Sequence, residues 1–226
     1  MTEASLDYAL SDLLLFSERV YWRLFVLENA ALWPLPLIAP AAIVAAVLLQ
    51  VRRPPTGVRL LAALLALGWI SVGLSFVWYR YAPVNWAMGY VAPLFAVQAA
   101  LLTDLAVRGR VRMAHNRVRR AAGRGLVVAA ALAYPALSLV QGRALAGAEV
   151  AGIAPDPTAA ATLGLALLAR DSWRGRAVCA ISLAWLGQSA LTLYALGGPT
   201  AIPPALAMLT ALAGVIADRA PPARSR

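Results

Sequence analysis

The chain of 226 residues is 62% hydrophobic and only 13% charged, with a formal net charge of +10. That balance lies far from a soluble domain and within the range of membrane helix bundles, so the lipid bilayer is the first expected partner. All 20 basic side chains are arginine and lie mostly in short connectors between apolar runs, where retention at the cytoplasmic face accounts for them and no nucleic-acid partner is expected.

The chain opens with Glu3, Asp7 and Asp12 where a cleaved signal would carry a basic region, so residues 1–29 are expected to stay with the protein. From Leu6 to Leu27, apolar residues recur at mostly three- and four-residue steps (Leu10, Leu13, Leu14, Val20, Leu24, Leu27), interrupted by Asp12, Glu18, Arg19 and Arg23. This predicts an amphipathic N-terminal helix, either on the outer leaflet or packed over the bundle as an anchor or lid.

Residues 30–218 read as an all-α, polytopic transmembrane helix bundle of about seven spans. The spans are Ala30 to Val51, Val58 to Tyr79, Val84 to Val107, Leu126 to Val140, Pro157 to Ala169, Ala177 to Leu196 and Ala201 to Ala217. Threading them through a bilayer leaves sixteen arginines on one side and four (Arg19, Arg23, Arg80, Arg143) on the other. The positive-inside rule then predicts an external N-terminus and a cytoplasmic tail at residues 219–226, which requires an odd number of crossings.

The fifth span is too short. Its thirteen residues rise only about 20 Å against a hydrocarbon core of about 30 Å. Either the helix runs on through Trp173, or the preceding Ala154-Pro155-Asp156-Pro157-Thr158 stretch dips into the membrane as irregular backbone, which is tolerated only inside protein or beside a wet cavity. Asp156 is expected to cap this helix, with Pro157 at its first position.

Several chemistries drop out. A retinal Schiff base needs a lysine, and the chain has none. The one histidine, His115, falls in the cytoplasmic arginine loop, away from any haem; the one cysteine, Cys179, reads as a small buried hydrophobe and forms no disulfide or metal cluster. Phosphate loops, dinucleotide glycines and a nucleophile elbow are missing, so no cofactor, metal or catalytic residue is assigned. Asp104 is expected to pair with Arg108 along one helix face, and Asp171 and Asp218 to balance neighbouring arginines at the inner surface. Gln98 and Gln188, each near mid-span, read as interhelical hydrogen-bond partners or as groups lining a path.

The outer ends of the spans carry more than their share of polar and aromatic residues, whereas the inner ends offer little beyond Trp173. This asymmetry predicts an outward-opening vestibule built from Asn29, Trp33, Asn85, Trp86, Gln141, Asp156 and Thr158, which binds a small polar ligand for transport or sensing. Two alternatives stay open: a non-catalytic accessory subunit that docks on other membrane protein subunits through the outer aromatics, and an intramembrane enzyme using Asp156, for which no second titratable partner is visible.

The strings Asn29-Ala30-Ala31-Leu32-Trp33-Pro34, Val84-Asn85-Trp86-Ala87, Ala133-Tyr134-Pro135 and Gly152-Ile153-Ala154-Pro155-Asp156-Pro157-Thr158, followed by Leu163-Gly164-Leu165, span nearly the whole chain. In these the sequence resembles a bacterial polytopic membrane family, domain-of-unknown-function family 6064. The resemblance implies a multi-pass protein of the bacterial cytoplasmic (inner) membrane. It also implies a cysteine between the prolines of the fifth-span motif; this chain has Asp156 there, so thiol chemistry in relatives would not carry over.

Overall fold

The computed structural model describes residues 16–108, 113–169, 173–197 and 199–219, and among these it contains eight helices and no strand. Outside the described residues lie the start of the expected amphipathic segment, Arg110, Arg112, Arg170, Asp171 and the tail beyond Arg219.

Helix α1 (Glu18–Ala31) starts where the Ser17 hydroxyl accepts from the Val20 amide, with Glu18 in the first turn. Its buried residues Tyr21, Leu24, Phe25 and Glu28 recur at three- and four-residue steps, and this face packs over the bundle. Of the two placements open for an amphipathic helix, it takes the lid. The helix runs past residue 29 and stops before Pro34, so the first apolar helix begins at Leu35 rather than Ala30.

Helices α2 (Leu35–Arg52), α3 (Pro54–Tyr81), α4 (Ala87–Arg108), α5 (Arg117–Val140) and α7 (Trp173–Ala195) are long and apolar enough to cross a membrane. The last, α8 (Ile202–Arg219), has a shorter apolar stretch, Ile202–Ile216. Each follows one of the expected spans. Two of them change gauge: Val72–Tyr81 at the end of α3 and Ala129–Ala133 within α5 are wound as π-helix.

The short fifth span is α6 (Pro155–Leu168), and thirteen of its fourteen residues are buried. It is the axis of the bundle, contacting α3, α5, α7 and α8. A helix wholly enclosed by protein does not have to match the thickness of a bilayer. It does not continue to Trp173, because Ala169 is already extended (φ −87°, ψ 151°). The irregular stretch before it, residues 147–154, is buried in protein save for the half-buried Gly152.

Small residues let the axis pack closely. A Cβ added at Gly164 would lie 2.7 Å from the Gly123 carbonyl oxygen, so α5 and α6 cross in backbone contact. Trp69 Nε1 donates to Thr162 Oγ1 at 2.9 Å, tying α3 to the same helix. Gln98 Nε2 donates to the Val178 carbonyl (3.0 Å) and Ser182 Oγ (3.1 Å), the interhelical role read for it. Gln188 Nε2 instead bonds Thr192 within α7 at 2.7 Å.

The helix ends sort into two groups. At one end, Arg59 donates to the carbonyls of Ala106 and Val107, the Ala114 amide to Leu168, and Arg119 to the carbonyls of Ala166, Leu167 and Ala169. Arg52, Arg53, Arg108, Arg117, Arg120 and Arg124 lie on helix turns at this same end. Here the Asp104–Arg108 pair forms at 3.8 Å, and His115 is exposed, as the sequence predicts for both. The opposite end holds α1, the 141–154 connector and the exposed aromatics Trp33, Trp78, Tyr79, Trp86, Tyr90 and Tyr194.

Candidate site: a buried acid and tyrosine cluster beneath the N-terminal helix

Lid and connector are sewn together at the aromatic end. Asn29 Nδ2 donates to the carbonyls of Ala146 (3.0 Å) and Ala148 (2.8 Å). Arg143 stacks 3.4 Å over the Trp22 ring, donates to the Gly147 carbonyl at 3.2 Å, and is held by the Gln141 side-chain oxygen. Buried Glu28 pairs with Arg80 and accepts from Ser75, joining the lid to α3.

Below this seam lies Asp156, 1% exposed. α6 takes Ala154 as its N-cap and Pro155 as its first residue, so Asp156 already lies inside the first turn rather than ahead of it. Asp156 therefore does not act as the expected N-cap, and the helix starts two residues earlier, at Pro155. Its carboxylate turns sideways to α7, accepting from Trp185 Nε1 at 2.8 Å and Ser189 Oγ at 2.6 Å. Thr158 Oγ1 closes the preceding turn, accepting from the Gly152 amide (2.7 Å) and donating to the Ala154 carbonyl (2.6 Å). Gly152 is required by its φ of +90°, and Gly68 opposite it by close approach, since a Cβ there would lie 2.8 Å from Gly152 Cα.

A second acid joins Asp156. Glu149, buried in the connector, has its carboxyl pushed up to about 8, by burial first and by the Asp156 charge second, with Arg143 pulling it back down. The carboxyls of Asp156 and Glu149 act together on the rings of Tyr21 and Tyr134, and Asp156 also acts on Tyr81. Tyr81 Oη faces Asn85, Gln188 and Thr192 without reaching normal hydrogen-bond length to any of them. Four buried polar atoms here have no protein partner: Tyr81 Oη, Tyr134 Oη, Glu149 Oε1 and Gln188 Oε1. Both tyrosines sit at the ends of the π-wound turns, Tyr81 as the last residue of one and Tyr134 directly after the other.

The seven residues expected to form a vestibule thus share one end of the molecule but do different things there. Asp156 and Asn85 belong to this polar cluster, Asn85 beside Tyr81 and Asp156 against Trp185 and Ser189. Asn29, Gln141 and Thr158 are engaged in hydrogen bonds that hold the lid, the connector and the start of α6, while Trp33 and Trp86 are 67% and 68% exposed. Sequence reasoning missed Glu149, Tyr21, Tyr81, Tyr134, Trp185 and Ser189. One signal was present: Trp185, Gln188, Ser189 and Thr192 fall at i, i+3, i+4 and i+7, a polar stripe along an otherwise apolar span. No group of three or more His, Cys, Asp or Glu among the described residues is arranged to hold a metal ion.

Residues 18–216 match the model described as "Family of unknown function (DUF6064)", as the resemblance implied. No curated protein and no solved structure matches the chain.

Proposed function

We propose that this chain, which belongs to the DUF6064 family of unknown function, is a multi-pass protein of the bacterial cytoplasmic membrane. It binds a small polar solute in a chamber formed around the polar cluster beneath α1, as part of transport or sensing. The arginine-rich end faces the cytoplasm, and the aromatic end, with the lid, faces outward.

The observation that carries this reading is the group of four unpartnered polar atoms around Asp156. Leaving one buried donor or acceptor unsatisfied costs about 1–3 kcal/mol, and native folds keep few of them. Four of the seven such atoms among the described residues lie here, beside two π-wound turns, a backbone irregularity that recurs at functional sites. Two tyrosine hydroxyls and two carbonyl-type oxygens suit a solute with both donors and acceptors. Two acids against one half-buried arginine favour a neutral or positively charged solute over an anion.

The test is thermal stabilisation of the purified protein by a panel of polyols, amides and primary amines. A solute that stabilises the parent protein should lose its effect on Asn85→Ala and Asp156→Asn, with expression retained. Undiminished stabilisation of both variants would reject the site.

The exposed aromatics at the same end favour a second reading, an accessory subunit docking there on a larger membrane complex. Purification in mild detergent would then bring down one stable partner in fixed ratio, whereas a lone monomer would count against it.

A further inference from the structure

A cavity opens at the other end, between α6, α7 and α8. Its volume is about 470 Å³, within the range of small-molecule sites. The floor is Leu163 and Leu167 of the buried axis, and the walls run from Gly175 to Leu183 on α7 and from Met208 to Val215 on α8. Leu209 and Leu212 on its rim are 61% and 56% exposed, so the groove opens sideways, toward the surroundings of the bundle. Its polar end is formed by two guanidinium groups, Arg119 and Arg176.

We propose that this groove holds one acyl chain of an anionic phospholipid, with the phosphate against Arg176 and Arg119. Three observations converge on that occupant. The walls are apolar along their length and charged only where the bundle meets the arginine-rich surface, which matches the order of chain and headgroup in a lipid. The run from Gly175 to Leu183 rises about 12 Å at 1.5 Å per residue, close to the roughly 15 Å of one leaflet of the hydrocarbon core. Arg119 is fixed and buried, because its guanidinium caps the end of α6 through the carbonyls of Ala166, Leu167 and Ala169. It therefore sets a fixed guanidinium at the polar end of the groove, beside the exposed Arg176. Basic pockets between membrane helices are a recurrent way of holding anionic headgroups. The inference does not depend on the solute chamber, nor on which face of the membrane the arginines occupy.

The experiment measures binding of phosphatidylglycerol and phosphatidylcholine to the detergent-purified protein by native mass spectrometry, with inorganic phosphate as a further arm in thermal shift. The parent protein should prefer phosphatidylglycerol by about fivefold or more, since one arginine near the headgroup is worth that much. Arg176→Gln should lower the preference by about the same factor. Ala180→Phe, which fills the groove from its exposed rim, should displace both lipids without altering solute binding in the chamber. Equal binding of the two lipids, an unchanged preference in Arg176→Gln, or stabilisation by inorganic phosphate to the same extent as by the lipid would each overturn the proposal.

Discussion

Replacing Glu149 with glutamine should flatten the dependence of stability on pH. Glu149 lies in the 141–154 connector, outside the membrane-crossing helices, and is buried. Its carboxyl is raised to about 8 in the folded chain, against an ordinary value of 4.5. The charged and titratable groups acting on it are Asp156, Arg143, Tyr21 and Tyr134. Between those two values the folded protein holds a proton that the unfolded chain has released. Stability is therefore full below about 4.5 and falls as pH rises through about 8. The slope is about 1.4 kcal/mol per pH unit, so raising pH from 6 to 8 removes roughly 2–3 kcal/mol. Tryptophan fluorescence followed during thermal unfolding in detergent at pH 6, 7 and 8 would read this, with Glu149→Gln as reference. The parent should lose several degrees more than the variant over that interval. Parallel curves would mean that Glu149 is solvated or ionised in the fold, and the buried acid pair would have to be abandoned.

Other predictions concern packing and the Asp156 environment. Gly164→Ala puts a methyl group 2.7 Å from the Gly123 carbonyl and 3.0 Å from the Val127 amide nitrogen, and should destabilise by about 1–3 kcal/mol in the same thermal assay. Gly187→Ala, with nothing within 4 Å, should be neutral or stabilise α7 by up to about 1 kcal/mol. A melting temperature lowered equally by both would show that α5 and α6 are not in backbone contact. Trp185→Phe and Ser189→Ala each remove one donor to Asp156 and should each cost about 1–3 kcal/mol. In Asp156→Asn, where an amide replaces the charged acceptor, their effects should shrink, as a double-mutant cycle would record. Strict additivity would refute the contact.

The positions of the spans were legible because arginine, proline and glycine punctuate them, and the Asp104–Arg108 and Gln98 contacts because they follow from helix spacing and from depth along a span. The role of α6 was not. Its short, mostly apolar run looks like a deficient crossing until the other helices are seen to enclose it, and enclosure is a tertiary property. Glu149 was invisible for a related reason. It sits in a connector of ordinary loop composition, and only the lid, bonded through Asn29 to carbonyls 117 and 119 positions away, buries it. Tyr81 and Tyr134 look like belt or span aromatics in the sequence. The π-wound turns that precede them change the phase of the helix, so a count at 3.6 residues per turn assigns their faces wrongly. Asp156 drew attention for its place between two prolines, but the capping role that follows from that spacing fails because the helix starts at Pro155 and Asp156 falls within its first turn.

The proposal depends most on which end of the bundle faces the cytoplasm. Tyr90 is 78% exposed at the aromatic end, and Val118 is 66% exposed at the arginine-rich end. With Cys179 replaced by serine, Tyr90→Cys and Val118→Cys report the two ends separately to a membrane-impermeant maleimide applied to intact cells. Labelling of Tyr90→Cys in intact cells, and of Val118→Cys only after lysis, is the predicted result. Labelling of both from outside, or of Val118→Cys alone, would contradict the proposed orientation and with it an outward-facing solute chamber.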